Sequence, residues 1–210
     1  MSKPILLICG CRKYEEYLHA AIRRSDRPEY EIIGLIGDSS KELQFNPESR
    51  ILTLPIADTY EALPAKLHAA FAWIHTNRPG VPGVFKTDDD MIFDMDALVS
   101  NILAHIDAPY WGVTASICRA GPVDEHRIQH RFEDKSLRPS YQTAAYCFGA
   151  GYWISKVALP VIVAAGDIYK DSALEDVCTG FVMNRAGIMP SRFRFPYKEM
   201  PRTHELLAYK

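Results

Sequence analysis

The 210-residue chain has no run of about 18 apolar residues, the least that a membrane-crossing helix needs. Its opening, "MSKPILLICGC", has one lysine and a short apolar stretch that ends in glycine. That is too short for a secretion signal and suits a first buried strand. Excess charge is also missing: 24 basic residues face 26 acidic ones, a formal net charge of −2. Neither nucleic acid nor an anionic membrane surface is therefore expected as a partner. These absences point to the cytoplasm, or to the periphery of a membrane reached through a partner. Cysteines are few and odd in number, at Cys9, Cys11, Cys118, Cys147 and Cys178. A disulfide framework does not fit that count in a chain of this size. Cys9-x-Cys11 has no second pair at zinc-finger spacing, so the thiols read as buried and free. Repeats, low-complexity segments and linkers are absent too, and residues 1–210 read as one domain.

What is present alternates between strand-like and helix-like stretches, the pattern of an α/β layered domain. "PILLICG" (Pro4–Gly10) and "YEIIGLIGD" (Tyr30–Asp38) are continuous apolar runs, as in strands covered on both faces. "RILTLPI" is a shorter one, and "PYWGVTAS" reads as another strand. Glu15–Ser25 puts Leu18, Ala21 and Ile22 on one helical face. Asp58-Thr59-Tyr60-Glu61 resembles a capping box opening a helix in which Pro64 causes an early kink or restart. A helix is expected after Asp94, and helical patterns recur at Lys156–Ala165 and Ser172–Ala186. The charged stretch Arg119–Ser140 reads as a solvated loop or hairpin, with His126 and His130 as loop residues.

The chemistry concentrates in "VFKTDDDMIFDMDAL", where an apolar strand runs straight into Asp88, Asp89 and Asp90. Adjacent carboxylates repel, so the run costs stability unless solvent or a cation offsets it. A solvated acidic turn is one reading. Against it, open α/β sheets bind ligands beyond the carboxyl ends of their strands. Apolar Met91-Ile92-Phe93 also pins the turn on its far side. An EF-hand calcium loop fails, because Ile92 and Phe93 stand where it wants Asp or Asn and then Gly. A hard divalent ion held by one or two carboxylates, water and phosphate oxygens remains, and Mg²⁺ or Mn²⁺ suits it. A second signal is "SALEDVCTG". Ser172 and Glu175 fit a capping box, which gives Glu175 a structural role. Asp176 lies about 100° further round the helix. It either favours the helix N-terminus or faces a cleft as a general base.

Taken together, "DTYEALPAKLHAAFAWI", "VFKTDDDMIFDMDAL", "YCFGAGYWIS" and "LEDVCTGFVMNRAGI" resemble, in order and spacing, the β-1,3-glycosyltransferases of the galactosyltransferase/Fringe type (glycosyltransferase family 31). The resemblance runs from about Ile5 to Gly187. It implies a GT-A fold, a Rossmann-like mixed sheet flanked by helices. It also implies a UDP-sugar donor bound with Mn²⁺ (or Mg²⁺), and inverting transfer of a hexose or N-acetylhexosamine to a hydroxyl of a glycan acceptor. By resemblance Asp90 is the direct metal ligand, Asp88 meets ribose or a metal-bound water, and Asp176 is the base. Gly149 and Gly151 let the backbone approach donor or acceptor, while Asp58, Tyr60 and Lys66 lie near the donor. Lys86 and Asp89 belong to the same donor-facing block. Arg12 and Asp38 suit uridine and ribose contacts. His204, in "PRTHELL", is either a late metal ligand or a plain surface histidine. Two rivals stay open: a nucleotidyltransferase on a related sheet, although a glycine- and lysine-rich triphosphate loop is lacking, and a non-catalytic nucleotide-sugar-binding module.

Overall fold

Strand β1 (Ile5–Cys9) shows why its sequence is apolar at every position. Ile5, Leu7 and Cys9 enter the core on one face of the sheet, and Leu6 and Ile8 enter the core on the other. The computed structural model describes residues 2–115, 145–172, 174–193 and 196–209. β1 pairs in parallel with β2 (Glu31–Gly37) on one side and with β5 (Gly83–Asp88) on the other. The remaining strands of this sheet are β3 (Gln44–Asn46), β4 (Ile51–Leu54), β7 (Tyr110–Ala115), β8 (Tyr146–Ser155) and β9 (Ser191–Arg192). Their order is β3-β4-β2-β1-β5-β8-β7-β9. β4 continues the parallel set, whereas β3 and β8 run antiparallel to their neighbours. The sheet is thus mixed, as the family resemblance implies.

Helices cover both faces. α1 (Glu15–Arg24) and α3 (Met95–Ala104) bury Leu18, Ile22, Leu98 and Ile102 against one. α2 (Leu63–Asn77), α4 (Leu159–Val163), α5 (Gly166–Lys170) and α6 (Glu175–Arg185) cover the other, contributing Phe71, Ile162, Tyr169 and Met183. Beyond the acidic run, β6 (Met91–Phe93) pairs antiparallel with β10 (Tyr197–Glu199) of the tail. The last helix, α7 (His204–Ala208), packs Leu206 near Tyr17 and Ile92. Among the described residues no helix is long and apolar enough to cross a membrane. Cys9, Cys147 and Cys178 are buried free thiols, each pushed up to about 12 by burial, and Cys11 is half-buried and free.

Three local expectations are corrected. α2 starts at Leu63, with Pro64 in its first turn, where a missing N–H costs nothing. The Asp58 carboxylate does not cap it, because it is engaged elsewhere, and Thr59 Oγ1 accepts from Ala62 N instead. α6 has Leu174 at its cap with no side-chain hydrogen bond, so the Ser172–Glu175 box is not formed. Glu175 turns into the core. The pattern at Lys156–Ala165 yields only the short α4, and α5 follows it. Asp94 does cap α3, accepting from Ala97 N at 3.0 Å. Arg119–Ser140, with His126 and His130, and Cys118 lie outside the described residues.

Candidate active site

β1, β5 and β8 bring their ends to one cleft with two continuous halves. The first, about 590 Å³, is lined by Gly10, Asp58, Lys66, Asp88, Asp90 and Arg202 among others. The second, about 390 Å³, includes Tyr146, Phe148, Gly149, Glu175 and Asp176. Tyr60, Leu63, Asp88, Asp90 and Glu199 line both halves. Asp88, at the end of β5, and Asp90, just beyond it, therefore stand between the half that holds Lys66 and the half that holds Asp176.

The acidic turn is pinned from several sides. Asp89 N donates to Cys9 O at 3.0 Å, and Met200 N donates to Asp90 O at 2.9 Å. From α1, Arg24 Nη2 donates to the carbonyls of Asp89 and Met91. The three side chains then diverge. Asp88 and Asp90 line the cleft, whereas Asp89 is fully buried and paired with Arg202. Burial first, and then the neighbouring Asp88, push the Asp90 carboxyl up to about 6, against the opposing pull of Arg202. Burial also raises Asp89. Asp89 Oδ2 is buried with no hydrogen-bond partner. Among the described residues no group of three His, Cys, Asp or Glu side chains is arranged to hold a metal ion. Asp88 and Asp90, each with a cation on one oxygen (Lys86 and Arg202), are hard-oxygen donors that face the cleft and suit an ion of the Mg²⁺ or Mn²⁺ type, which completes its shell with water and phosphate oxygens. His204 is exposed at the start of α7 and does not line the cleft. The tail residue that reaches the acids is Arg202.

Lys86 is the hub of the second half. It sits in mid-strand among apolar residues, with no exposed surface. Its ammonium donates to Gly149 O at 2.7 Å and lies 3.0 Å from Glu175 Oε1 and 2.8 Å from Asp88 Oδ1. Burial alone would lower its pKa, but Asp88 and Glu175 outweigh that and hold it well above the ordinary value. All three N–H groups are thus used by the chain. The expected donor contact of Lys86 is corrected accordingly, since it touches the cleft only through Asp88. Glu175 also accepts from Tyr152 Oη at 2.9 Å, and burial raises its carboxyl despite the neighbouring ammonium. Asp176, the next residue of α6, is 2% exposed; its Oδ2 accepts from Gly149 N at 3.3 Å and its Oδ1 from Val177 N.

The other expected residues divide. Asp58 is a clasp: Oδ1 accepts from Gly37 N at 3.1 Å and from Lys66 Nζ at 2.6 Å, and Oδ2 accepts from Arg12 N. Lys66 also donates to Gly10 O at 2.9 Å, and Tyr60 lines both halves. Arg12 and Asp38 pair with each other at 2.7 Å and are not in the cleft lining, though Arg12 N ties them to its end. Asp89 is corrected from donor contact to buried anchor. Gly151 is corrected as well: a Cβ there would meet the Phe85 ring at 2.9 Å, so packing excludes a side chain.

Gly149 lines the second half of the cleft, and a Cβ there would lie 2.7 Å from Glu175 Oε1 and 3.4 Å from Lys86 Nζ, so the packed side chains leave no room for one. Gly149→Ala is expected to cost about 1–3 kcal/mol, the usual range for overpacking. It should also displace the carbonyl that Lys86 holds. Denaturant melts measure this, and a variant as stable as the parent refutes the crowding.

Glu175 and Arg202 are charged cleft residues that sequence reasoning did not assign to the site. For Glu175 a signal existed: a lysine inside an apolar strand demands a buried counter-ion. For Arg202 the tail sequence offered none.

The Galactosyltransferase family model matches residues 24–194. The chain is 27% identical over 143 residues to mouse "Beta-1,3-galactosyltransferase 1", covering 67% of this chain and 43% of that protein. It is 29% identical over 151 residues to human "UDP-GalNAc:beta-1,3-N-acetylgalactosaminyltransferase 2", covering 69% and 27%. The chain thus spans less than half the length of these relatives. A solved structure, "Crystal structure of 4-diphosphocytidyl-2C-methyl-D-erythritol synthase", superposes with a TM-score of 0.55 at 12% identity over 97% of this chain and 93% of that one. At that identity the likeness concerns the fold alone.

Proposed function

The chain belongs to the galactosyltransferase family, and from that premise we propose that it is a metal-dependent inverting glycosyltransferase. It would move a hexose or N-acetylhexosamine from a UDP-sugar to a hydroxyl of a glycan acceptor, in a β-1,3 linkage. One observation carries this reading: a single cleft has Asp88 and Asp90 at its middle and Asp176 in one half, with Lys66 in the other. The UDP donor follows the printed name of the human relative. Mn²⁺ or Mg²⁺ would be held by Asp90 and Asp88, and its charge would neutralise a leaving diphosphate.

The chain's own residues do the rest. Lys66, fixed by Asp58 and the Gly10 carbonyl, adds positive charge beside the diphosphate. Asp176 accepts the proton of the attacking hydroxyl as that oxygen closes on the anomeric carbon from the face opposite UDP. Lys86 holds Asp88, Gly149 and Glu175 in one frame, and so fixes the half that binds the donor relative to the half that holds the base.

Thermal shift of the protein with a panel of nucleotide sugars, with and without Mn²⁺, tests the donor, and UDP release with added acceptors tests transfer. Stabilisation by a UDP-sugar that requires Mn²⁺ is the expected result. Asp90→Ala should lose most of it, as a ligand is worth about 2.7 kcal/mol of stability at a hundred times its Kd. Indifference of the parent protein to every nucleotide sugar and to Mn²⁺ would overturn the reading.

A further inference from the structure

The tail beyond the residues matched by the family model brings a further cation into the cleft. Pairing of β10 with β6 and the Met200–Asp90 hydrogen bond lay the tail across the acidic turn. Arg202 then donates from Nε, at 3.2 Å, and from Nη2 to Asp89 Oδ1, and its Nη1 lies 3.2 Å from Asp90 Oδ2. The guanidinium also sits over the Tyr14 ring, 5.0 Å from its centroid. Of its five N–H groups, these contacts use three, which leaves one on each Nη. The side chain is 30% exposed and lines the cleft half that contains Lys66. Asp89, with no exposed surface, is the anchor that fixes this geometry.

We infer that Arg202 binds the diphosphate of the nucleotide donor directly, as a cation built into the chain, in addition to any metal held by Asp88 and Asp90. The inference rests on the proposed reading of the cleft. A planar fork with two N–H groups left over matches two phosphate oxygens. Because Asp89 already orders the side chain, little rotamer freedom is lost when a ligand binds. The same guanidinium lies close to Asp90 and repels a divalent cation there. Arg202 therefore has opposite effects on the two ligands: it favours the diphosphate and disfavours bare metal. A residue that merely held the turn together would support both.

Calorimetric titration separates these cases. UDP is titrated into the protein in EDTA and again with Mn²⁺, and MnCl₂ is titrated alone, for the parent, Arg202→Gln and Arg202→Lys. The parent should bind UDP measurably in EDTA. Arg202→Gln should lose about ten- to a hundredfold of that affinity, the worth of charge-assisted hydrogen bonds, and should bind Mn²⁺ alone more tightly. Arg202→Lys keeps the charge without the fork and should fall between them. Should Arg202→Gln not fold, the lysine variant carries the test, with a drop of about tenfold in UDP affinity expected. Equal UDP affinity in EDTA for parent and variants overturns the inference, as does a parallel loss of UDP and Mn²⁺ binding. If UDP binds only with Mn²⁺, and equally to all three proteins, the inference falls and the proposed function stands. If UDP binds the parent under neither condition, both fall.

Discussion

Asp176→Asn is expected to lower glycosyl transfer by about 10²–10⁴-fold, the usual worth of a general base, while UDP affinity changes little. The geometry sets both halves of that expectation. Asp176 is buried at the second residue of α6, with one oxygen toward Gly149 N and the other toward Val177 N. An asparagine oxygen can keep one of those hydrogen bonds, so the side chain stays close to its place and the fold pays little. What it cannot do is take a proton. UDP affinity survives because Lys66, Asp58 and Arg202 line the half of the cleft from which Asp176 is absent. Initial rates of UDP release with acceptor present, set beside calorimetric UDP binding, measure the two quantities separately. Full transfer by the variant would remove Asp176 from the base role. A parallel collapse of UDP binding would show that the substitution had disturbed the donor half as well.

How far the sequence alone reaches depends on whether a residue's partner is local. β1 and β2 are legible because strands covered on both faces must be apolar throughout, and their boundaries follow. The helix after Asp94 is legible because its signals are local, and its cap partner is three residues away. Asp58 and Glu175 have the same local look of caps, yet their carboxylates bind Lys66 and Lys86 instead, with Lys86 separated from Glu175 by 89 positions. Charge pairing wins over capping there, because a buried ammonium without a counter-ion costs more than an unmade cap. By resemblance all three acids of the run face the donor or its metal. Its division into two cleft-facing carboxylates and one buried anchor depends on Arg202, 113 positions from Asp89. β3 and β10 are three-residue strands whose existence is decided by their neighbours. Periodicity has no purchase on segments so short.

The largest stability effect should come from the same lysine. Lys86→Met removes the only ammonium within hydrogen-bonding reach of Glu175 among the described residues and leaves a buried carboxylate, a defect that costs roughly 3–5 kcal/mol. At about 2–4 °C per kcal/mol for a chain of this size, the melting temperature should fall by on the order of 10 °C. Asp88 adds little to the penalty, because its side chain is 32% exposed and water can serve it. Glu175 can escape by taking up a proton. Its carboxyl is already raised above the ordinary value of 4.5 by burial, with Lys86 opposing and with Asp176 and Asp88 adding to the rise. Without Lys86 it rises further. A raised folded value means that the folded state binds more protons than the unfolded one above about pH 4.5, so stability is lost as pH increases. The deficit should therefore be smallest near pH 4 and grow toward neutrality. The double variant Lys86→Met/Glu175→Leu removes both charges and should recover most of the loss, although Tyr152 Oη and Gly149 O each give up a partner. It should nevertheless remain a poor transferase, since the ammonium that joins Asp88 to Gly149 O and Glu175 is gone. Denaturant melts of the single and double variants across pH decide the matter. A flat pH profile for Lys86→Met, or a double variant no more stable than the single, would mean that Glu175 is not the group left stranded.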